Sequence, residues 1–573
     1  MNRRKLIRQL AAMAPALWMS KGWAANRLGG SVSAGRLGGA GRLGGDLAGG
    51  AIGTGGGIEP GIFEPNWNSL KQYKAPDWFR DAKFGIWAHW SAQCVPEQGD
   101  WYARQMYIQG MDQHKYHVEH YGHPSTFGFM EIDHLWKAEN WDPEALMKLY
   151  IAAGAKYFVA LANHHDNFDN YDSSYHAWNS VKVGPKKDII GIWEKLARRN
   201  GLRFGVTNHS GHAWHWLQTA YGYDPEGAQA GVRYDAYRLT KADGKGKWWE
   251  GLDPQELYVG PNIVMPDGIR TIKEAREWHE QHDRRWNEDP PPGNPAFVRS
   301  WFLRCKELLD KYKPDLLYFD NTELPLGQAG LDIAAHFYNS NMKDHGGQLE
   351  AVLNSKGLQP DHIGTMVLDI ERGRADKILA DPWQTDTCIG DWHYRRSTYE
   401  KHEYKTAALV IHMLADIVSK NGNLLLNIPV RGDGSIDGDE QKFLEELATW
   451  MPANGEAIFG TRPFSVYGEG QQDVKGTGNF NERLSRPYTS EDIRFTTKGD
   501  TLYAIALGWP EDGKLKIRTL ASGSAAWSRN IGRIELLGGG QSLTYHRDAE
   551  GLEVTLPDTR PNEYAYSLKI LPG

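Results

Sequence analysis

Polar residues that could transfer protons or bind hydroxyl groups stand at the ends of two short apolar runs. The run KYFVALAN ends in His164, His165 and Asp166, and the run PDLLYF ends in Asp320. A strand that is buried on both faces reads as a continuous apolar run. In parallel α/β folds, ligands and catalytic groups lie at the carboxyl ends of such strands. The two clusters therefore predict an active site, and the chain is interpreted as an enzyme.

Strand-like and helix-like runs alternate between about residue 61 and residue 463. One helical pattern, Pro143–Ala155, begins with Asp142 as its N-cap and with proline in the first turn. The alternation predicts a (β/α)8-like barrel, whose strand ends would bring the polar clusters to one face. The predicted strands are Phe84–Trp90, Lys156–Asn163, Arg203–Asn208, Asp315–Asp320, Ala351–Asn354, Met366–Glu371, Trp383–Ile389 and Asn423–Ile428.

Composition divides the chain into four predicted segments. Residues 1–26 read as an export signal, and residues 27–58 are so rich in glycine that they predict a flexible linker. Residues 59–463 are the predicted catalytic barrel, in which residues 214–294 form an insertion over the mouth. Residues 464–573 lack helical periodicity and contain short strands between turn residues, which predicts a C-terminal β-sandwich.

The first 26 residues resemble a twin-arginine export signal. Arg3 and Arg4 precede a weakly apolar stretch, and small residues at Ala24 and Ala25 suit cleavage. An ordinary signal with a basic start is the alternative. Both predict that a bacterial cell exports the protein to the periplasm or the extracellular space.

Charge and aromatic content narrow the class of ligand. The chain has 65 Lys+Arg against 72 Asp+Glu and no long basic block, which argues against binding to a nucleic-acid backbone. Its 23 tryptophans could stack on sugars or bases, and the acidic balance favours sugars.

The sequence predicts no membrane span, because it contains no run of about 18 apolar residues. The three cysteines allow at most one disulfide and form no metal-binding motif: Cys94, Cys305 and Cys388.

Seven motifs between residues 78 and 463 resemble glycoside hydrolase family 29, the retaining α-L-fucosidases, and occur in the family's order. The resemblance implies a (β/α)8-like barrel followed by a β-sandwich. It also implies hydrolysis of terminal α-L-fucosyl residues from fucosylated oligosaccharides or glycoconjugates, without a cofactor. The motifs are KFGIWAHW, GDWYARQMY, YFVALANHHDNF, GPKKDIIG, PDLLYFDN, PWQTDTCIGDWHYRR and GNLLLNIPVRGDG.

The resemblance assigns the nucleophile to Asp320, because the family's nucleophile ends the strand that reads LLYFD here. Retaining hydrolysis needs two carboxyl groups about 5–5.5 Å apart, one attacking and one exchanging a proton. Some relatives take the acid/base from a Glu where this chain has Gln384, and an amide cannot fill that role. Glu371, at the end of an apolar run, is the predicted acid/base.

Three other carboxyl groups compete with Glu371 for the acid/base role: Glu323 and, less favoured, Asp386 and Asp391. The acid/base must have a raised pKa while Asp320 stays ionised. The alternative for Glu371 itself is a salt bridge at the barrel rim with Arg372 or Arg374.

Sugar recognition is assigned by the family match to neutral and aromatic side chains. Asp100 stands where relatives usually have Glu, and Tyr318 replaces a Trp of many relatives, which still allows stacking beneath the apolar C5-methyl face. Asn208 and His209 remain open, because their segment departs from the family's aromatic pair. The predicted substrate-binding residues are His89, Asp100, Trp101, His164, His165, Tyr318 and Trp383.

The histidines at positions 209, 212 and 215 also suggest a zinc site, because their spacing of three would place them on one helical face. No carboxylate is expected to join them, and the family's chemistry requires no metal. The sequence therefore predicts no metal site.

The complete interpretation is an exported, retaining exo-α-L-fucosidase. A non-catalytic fucose-binding protein on a hydrolase scaffold is one alternative, suggested by Gln384 and the changed aromatic residues. An α-L-galactosidase-type activity is the other, and the room around the C5 substituent would decide it. The sequence predicts no oligomeric state.

Overall fold

Eight parallel strands form a closed barrel. The computed structural model describes residues 57–472, 474–483 and 486–573, so the predicted export signal and nearly all of the predicted linker lie outside the described residues. Each strand pairs with the next in sequence, and β8 pairs with β1 to close the barrel. The strands are β1 Phe84–Ala88, β2 Tyr157–Asn163, β3 Arg203–Asn208, β4 Leu316–Thr322, β5 Val352–Lys356, β6 Val367–Asp369, β7 Trp383–Cys388 and β8 Gly422–Asn427. All eight predicted strands are confirmed, and their ends differ by at most two residues.

The barrel strands are apolar because helices cover their outer faces. Every residue of β1, β2, β7 and β8 is buried. A Cβ atom at Gly85 would lie 2.3 Å from the ring of Tyr157, so glycine is needed there to leave room for the ring. The hydroxyl of Tyr157 then donates a hydrogen bond of 3.1 Å to Gln384, which links β2 to β7.

The helix boundaries follow capping residues that the sequence reveals. Asp142 accepts a hydrogen bond from the N–H of Ala145, and Pro143 occupies the first turn, as predicted. This helix ends at Ala152 rather than at Ala155, because Gly154 takes a φ of +103°. The helices of the described residues are Trp67–Leu70, Asp77–Ala82, Tyr102–Gln105, Asp112–His120, Phe129–Leu135, Pro143–Ala152, Ile189–Arg199, Ala213–Trp216, Asp235–Arg238, Pro254–Leu257, Ile272–His282, Pro295–Tyr312, Gln328–Asp344, Arg396–Glu400, Ala407–Ser419 and Gly438–Asn454.

The predicted insertion, residues 214–294, contacts the carboxyl ends of the barrel strands. The side chain of Asn167, just beyond β2, donates a hydrogen bond of 2.9 Å to the carbonyl of Glu256. The carboxylate of Glu288 accepts a hydrogen bond of 2.8 Å from the N–H of Thr322, the last residue of β4. The insertion therefore lies at the mouth of the barrel.

Two antiparallel sheets follow the barrel, which confirms the predicted β-sandwich. The five-stranded sheet has the order β13-β16-β11-β10-β9, and the three-stranded sheet has the order β12-β15-β14. Polar strands such as β14, which reads YHRD and is largely exposed, were not predicted because they lack an apolar face. The strands are β9 Arg462–Glu469, β10 Ile493–Lys498, β11 Thr501–Ala506, β12 Lys514–Ile517, β13 Ile531–Leu536, β14 Tyr545–Asp548, β15 Gly551–Thr555 and β16 Tyr566–Pro572.

A buried ionic cluster joins the sandwich to the barrel. Asp416, on helix Ala407–Ser419, lies 2.6 Å from Nε of Arg494 on β10 and 2.8 Å from Nζ of Lys420. The guanidinium of Arg374 approaches the same carboxylate to 3.7 Å. All four side chains are almost inaccessible to solvent, so each charge depends on the others for compensation.

The described part of the chain shows neither a disulfide nor a helix suited to a bilayer. Cys94, Cys305 and Cys388 are all buried and unpaired. Among the described residues, each helix is too short or too polar to cross a membrane.

Candidate active site

The structure brings Asp320 and Glu371 together at the mouth of the barrel. Asp320 lies on β4, and Glu371 follows β6 by two residues. Both carboxylates contact the ammonium group of Lys356, the last residue of β5, and its Nζ lies 2.7 Å from Oε2 of Glu371. Because one nitrogen contacts both groups, their nearest oxygens are at most about 6 Å apart. This upper limit agrees with the spacing of about 5–5.5 Å between the two carboxyl groups of a retaining hydrolase.

The surroundings hold these two carboxyl groups in different protonation states. Burial would raise the pKa of Asp320, but Lys356 and the adjacent rings of His165 and His209 hold it well below its ordinary value. A ring nitrogen of each histidine lies 3.3 Å from Oδ2 of Asp320. Burial raises the pKa of Glu371 to about 7, although Lys356 opposes the shift. An ionised group beside a protonated one is the division of roles that double displacement requires.

Two of the competing carboxyl groups are engaged elsewhere. Oε1 of Glu323 lies 2.6 Å from Nδ1 of His362 and accepts a hydrogen bond of 2.8 Å from the N–H of Gln359. Asp391 pairs with Arg395 at 2.6 Å. Neither group contacts Lys356 in the ion pairs of the described residues, whereas Glu371 does.

The third competitor, Asp386, belongs to a buried polar network beneath the site. The hydroxyl of Tyr318 donates a hydrogen bond of 3.1 Å to Asp386, and Gln384 donates one of 2.9 Å to Asp369. Burial, with Asp369 nearby, raises the pKa of Asp386 well above its ordinary value. Tyr318 is fully buried, and Lys356 Nζ lies 5.9 Å from its ring centroid. Tyr318 therefore belongs to the buried network beside the carboxyl pair, and its stacking against the sugar stays a prediction.

Neutral histidines line the pocket beside Asp320. His89 directly follows β1 and is buried, and neither of its ring nitrogens has a hydrogen-bond partner among the described residues. Its ring centroid lies 5.2 Å from that of His164 and 4.7 Å from that of His393. Burial lowers the pKa of His89 and of His164 well below the ordinary value, so both rings are neutral. A neutral imidazole can donate and accept hydrogen bonds, which suits sugar hydroxyls.

Imidazole nitrogens also converge closely enough to ligate a metal ion. Within each of two groups, the ligand atoms lie within 4.8 Å of one another: His89, His164 and His393, and His164, His165 and His209. Neutral imidazoles of this kind suit Zn²⁺. Hydrolysis by two carboxyl groups needs no metal, and two of these rings, His165 and His209, contact Asp320.

The histidine series at 209, 212 and 215 forms no such group in the described chain. Nε2 of His212 lies 2.9 Å from Glu288, and Nδ1 of His215 lies 3.2 Å from the carbonyl oxygen of Asp283. The expectation that no carboxylate would join these histidines is wrong, because Glu288 returns to them from the far end of the insertion.

Asp100 and Trp101 border the same pocket. Oδ1 of Asp100 accepts a hydrogen bond of 2.7 Å from the N–H of His393, which fixes the loop after β7. The ring of Trp101 is parallel to that of Trp286, with an interplanar angle of 4° and centroids 6.4 Å apart. Trp286 also meets His165 edge to face at 5.2 Å. These two tryptophans flank the pocket although they are far apart in the sequence.

Trp383 does not lie with the other predicted substrate-binding residues. It is the first residue of β7, where it pairs with Gly422, the first residue of β8. Its indole N–H donates a hydrogen bond of 2.9 Å to the carbonyl of Lys420, and its side chain is buried. Because the amino ends of the strands lie opposite the mouth, Trp383 is a core residue, and its prediction as a sugar contact is corrected.

Four residues of the site were not predicted from the sequence: Lys356, Trp286, Trp392 and His393. Lys356 ends the run AVLNSK, but the predicted strand stopped two residues earlier. The ring of Trp392 lies 5.7 Å from that of His89 and 5.3 Å from that of Trp87. Trp392 and His393 lie inside the motif PWQTDTCIGDWHYRR, whose resemblance to the family assigns no role to either residue.

A closed parallel barrel with paired carboxyl groups and neutral histidines at its mouth has the architecture of a glycoside hydrolase. The family profile described as Alpha-L-fucosidase matches residues 57–456, and the Alpha-L-fucosidase C-terminal domain profile matches residues 486–571. The chain therefore belongs to the alpha-L-fucosidase family.

Individual relatives agree with this assignment. The tissue alpha-L-fucosidase of Rattus norvegicus is 27% identical over 534 residues, covering 90% of this chain and 94% of the relative. The human tissue enzyme is 27% identical over 518 residues, covering 89% and 92%. The crystal structure of Thermotoga maritima alpha-fucosidase in complex with fucose has a TM-score of 0.64 and 26% identity, covering 89% and 100%. Hydrolysis of α-L-fucosyl residues is the activity that these similarities support, and the two alternative functions are not favoured.

Proposed function

We propose that this hydrolysis is a double displacement, with Asp320 as the nucleophile and Glu371 as the acid/base, and that it releases terminal fucose from glycans. The observation that carries the proposal is the pairing of these carboxyl groups through Lys356, with the pKa of Asp320 lowered and that of Glu371 raised.

In the first step, a carboxylate oxygen of Asp320 attacks the anomeric carbon while the bond to the leaving oxygen breaks. Glu371 gives its proton to that oxygen, and an ester joins fucose to Asp320. In the second step, the Glu371 carboxylate takes a proton from water, whose oxygen attacks the anomeric carbon and releases Asp320. Net retention of configuration follows from the two inversions.

Recognition of the sugar is assigned to His89, His164 and His165, together with Asp100 and Trp101. The unpartnered nitrogens of His89 support this assignment, because a buried polar group without a partner is costly unless a ligand satisfies it. The neutral state of the histidines is also suitable, because neutral rings do not repel the positive charge that develops on the sugar in the oxocarbenium-like transition state.

The mechanism is tested with an aryl α-L-fucoside, using the wild type, Asp320→Gly and Glu371→Ala, each with added azide. Azide should rescue both variants. Recovery of the α-fucosyl azide from Glu371→Ala marks the acid/base, because azide then attacks the β-linked enzyme intermediate. Recovery of the β-fucosyl azide from Asp320→Gly marks the nucleophile, because azide takes its place.

Other results of that assay would support different functions. A wild type that binds fucose but hydrolyses neither aryl fucosides nor fucosylated oligosaccharides would be a binding protein. Equal turnover of the matching α-L-galactoside would show that the pocket accepts a hydroxyl on the C5 substituent.

We further propose export through the twin-arginine pathway, because Arg3-Arg4 and the small residues before position 26 resemble such a signal. Cell fractionation should find the wild type outside the bacterial cytoplasm. Replacement of both arginines by lysine should retain the protein in the cytoplasm, and unchanged export would contradict this route.

A further inference from the structure

A short segment from the C-terminal part of the chain reaches back to the loop that carries Glu371. This segment, Gly478–Glu482, is called the bracing segment here and lies between β9 and β10. The side chain of Asn479 accepts a hydrogen bond of 3.0 Å from the N–H of Glu371. The N–H of Phe480 donates a hydrogen bond of 2.8 Å to the carbonyl of Glu371. Both backbone polar groups of Glu371 are therefore satisfied from outside the barrel sequence.

The contacts continue along the residues that follow Glu371. The N–H of Glu482 donates a hydrogen bond of 3.1 Å to the carbonyl of Arg372. The Asn481 side chain accepts a hydrogen bond of 2.7 Å from the N–H of Arg374 and donates one of 3.1 Å to its carbonyl. The two chain segments thus run side by side, as a short antiparallel pair.

The bracing segment is itself anchored to the barrel through Glu482. Its carboxylate accepts a hydrogen bond of 2.7 Å from the hydroxyl of Thr387 on β7. It also lies 2.9 Å from Nζ of Lys405 and 3.2 Å from Nε of Arg372. Burial would raise the pKa of Glu482, but Lys405 and Arg372 keep it below the ordinary value. The anchor is therefore a charged, partly buried network rather than a loose surface contact.

The loop carrying Glu371 needs such support. It leaves β6, a strand of only three residues, and Arg372 takes a left-handed φ of +45°. Without the bracing segment, the N–H and carbonyl of Glu371 would lose the partners named above. A proton donor must stay within hydrogen-bond reach of the leaving oxygen, and a misplacement of about 1 Å can cost about 100-fold in rate.

We propose that the bracing segment positions the carboxyl group of Glu371, so that the C-terminal part of the chain is a component of the active site. This inference rests on the proposed function, in which Glu371 is the acid/base. Asn479 and Glu482 are positioning residues, because they act through Glu371 and its loop and touch no reacting atom.

The test uses substrates that differ in their need for the acid. Phenyl α-L-fucoside has a leaving group that must be protonated, whereas α-L-fucosyl fluoride departs without a proton. Asn479→Ala should lower kcat/KM for the phenyl fucoside by about 10- to 100-fold. The same variant should hydrolyse the fluoride within about threefold of the wild type, because the nucleophile and the sugar pocket are unchanged.

Two variants serve as references for this pattern. Glu371→Ala should show the same dependence on the leaving group in stronger form. Thr477→Ala removes a hydrogen bond of 3.0 Å to Asp376, one residue before the bracing segment and away from Glu371. Thr477→Ala should therefore behave like the wild type on both substrates.

The outcomes separate this inference from the proposed function. A wild type inactive on both substrates would refute the proposed function itself. An active wild type with Asn479→Ala equal to it on both substrates, or impaired equally on both, would overturn the positioning role. If Asn479→Ala does not fold, Glu482→Gln decides, since it retains the side-chain size and should show a selective loss with the phenyl fucoside.

Discussion

The Nζ atom of Lys356 lies 2.7 Å from Oε2 of Glu371, and the same ammonium group contacts Asp320. A single cation thus bridges the group that must be ionised and the group that must be protonated. Its field favours the charged form of both carboxyl groups, and burial of Glu371 opposes that field. The two carboxyl groups are similarly buried, so the difference in protonation state arises from the contacts of Asp320 with His165 and His209 and from the negative charge of Asp320 beside Glu371.

Replacing Lys356 with methionine should slow the reaction and shift its pH range. Loss of the cation raises the pKa of Asp320, so the acidic limb of the kcat/KM profile should move to higher pH. It also raises the pKa of Glu371, so the alkaline limb should move in the same direction. We expect a loss on the order of 100-fold near neutral pH. Lys356→Arg should preserve most of the activity, and a profile that is unchanged in Lys356→Met would contradict this role.

The wild-type enzyme should lose activity as the pH rises above about 7, the pKa to which burial raises Glu371. Glu371 must be protonated to donate to the leaving oxygen, and its protonated fraction falls about tenfold per pH unit above the pKa. The measurement is kcat/KM for an aryl fucoside from pH 4 to pH 9. The limb should disappear with α-L-fucosyl fluoride, and a limb that persists there would assign the titration to another group.

The sequence predicts the parts of the site that depend on local pattern. Asp320 lies two residues before the end of β4, and the pair His164-His165 directly follows β2. The apolar runs of both strands can be recognised in the sequence alone. Glu371 is found in the same way, although its strand is shorter than predicted. Since parallel strands place their carboxyl ends on one face of a barrel, strand direction alone brings these residues together.

Contacts between distant segments could not be predicted in this way. Asn479 is 108 residues from Glu371, and the sequence around each residue contains no pattern that predicts their contact. Trp286 lies in the insertion, whose sequence does not follow the strand–helix alternation of the barrel, so its position at the pocket could not be predicted. Trp383 was assigned to the site through its motif, but it stands at the amino end of β7, where the strand enters the core.

Substitution of Asp416 by asparagine should destabilise the fold strongly. The change leaves three nearly inaccessible cations without their shared counter-charge: Arg374, Lys420 and Arg494. Removal of one member of a buried ionic group typically costs about 3–5 kcal/mol. Urea unfolding should show this loss. The surface pair Lys442–Glu446, with an N–O distance of 3.9 Å, supplies the control. Lys442→Ala, at its exposed member, should change stability by less than about 0.5 kcal/mol. A similar small change in Asp416→Asn would mean that the cluster is not structurally required.

Trp286 should contribute to sugar binding although it belongs to the insertion. Its ring is parallel to Trp101, meets His165 edge to face, and is 41% exposed. Aromatic contacts contribute about 0.5–1.5 kcal/mol beyond area burial, so Trp286→Ala should raise the inhibition constant of fucose by about two- to tenfold. Tyr237→Ala removes another exposed aromatic ring of the insertion, which stacks on Arg233, and should leave that constant unchanged. Equal effects of the two substitutions would show that the insertion acts only through general stability, whereas a selective effect of Trp286→Ala would place its ring at the bound sugar.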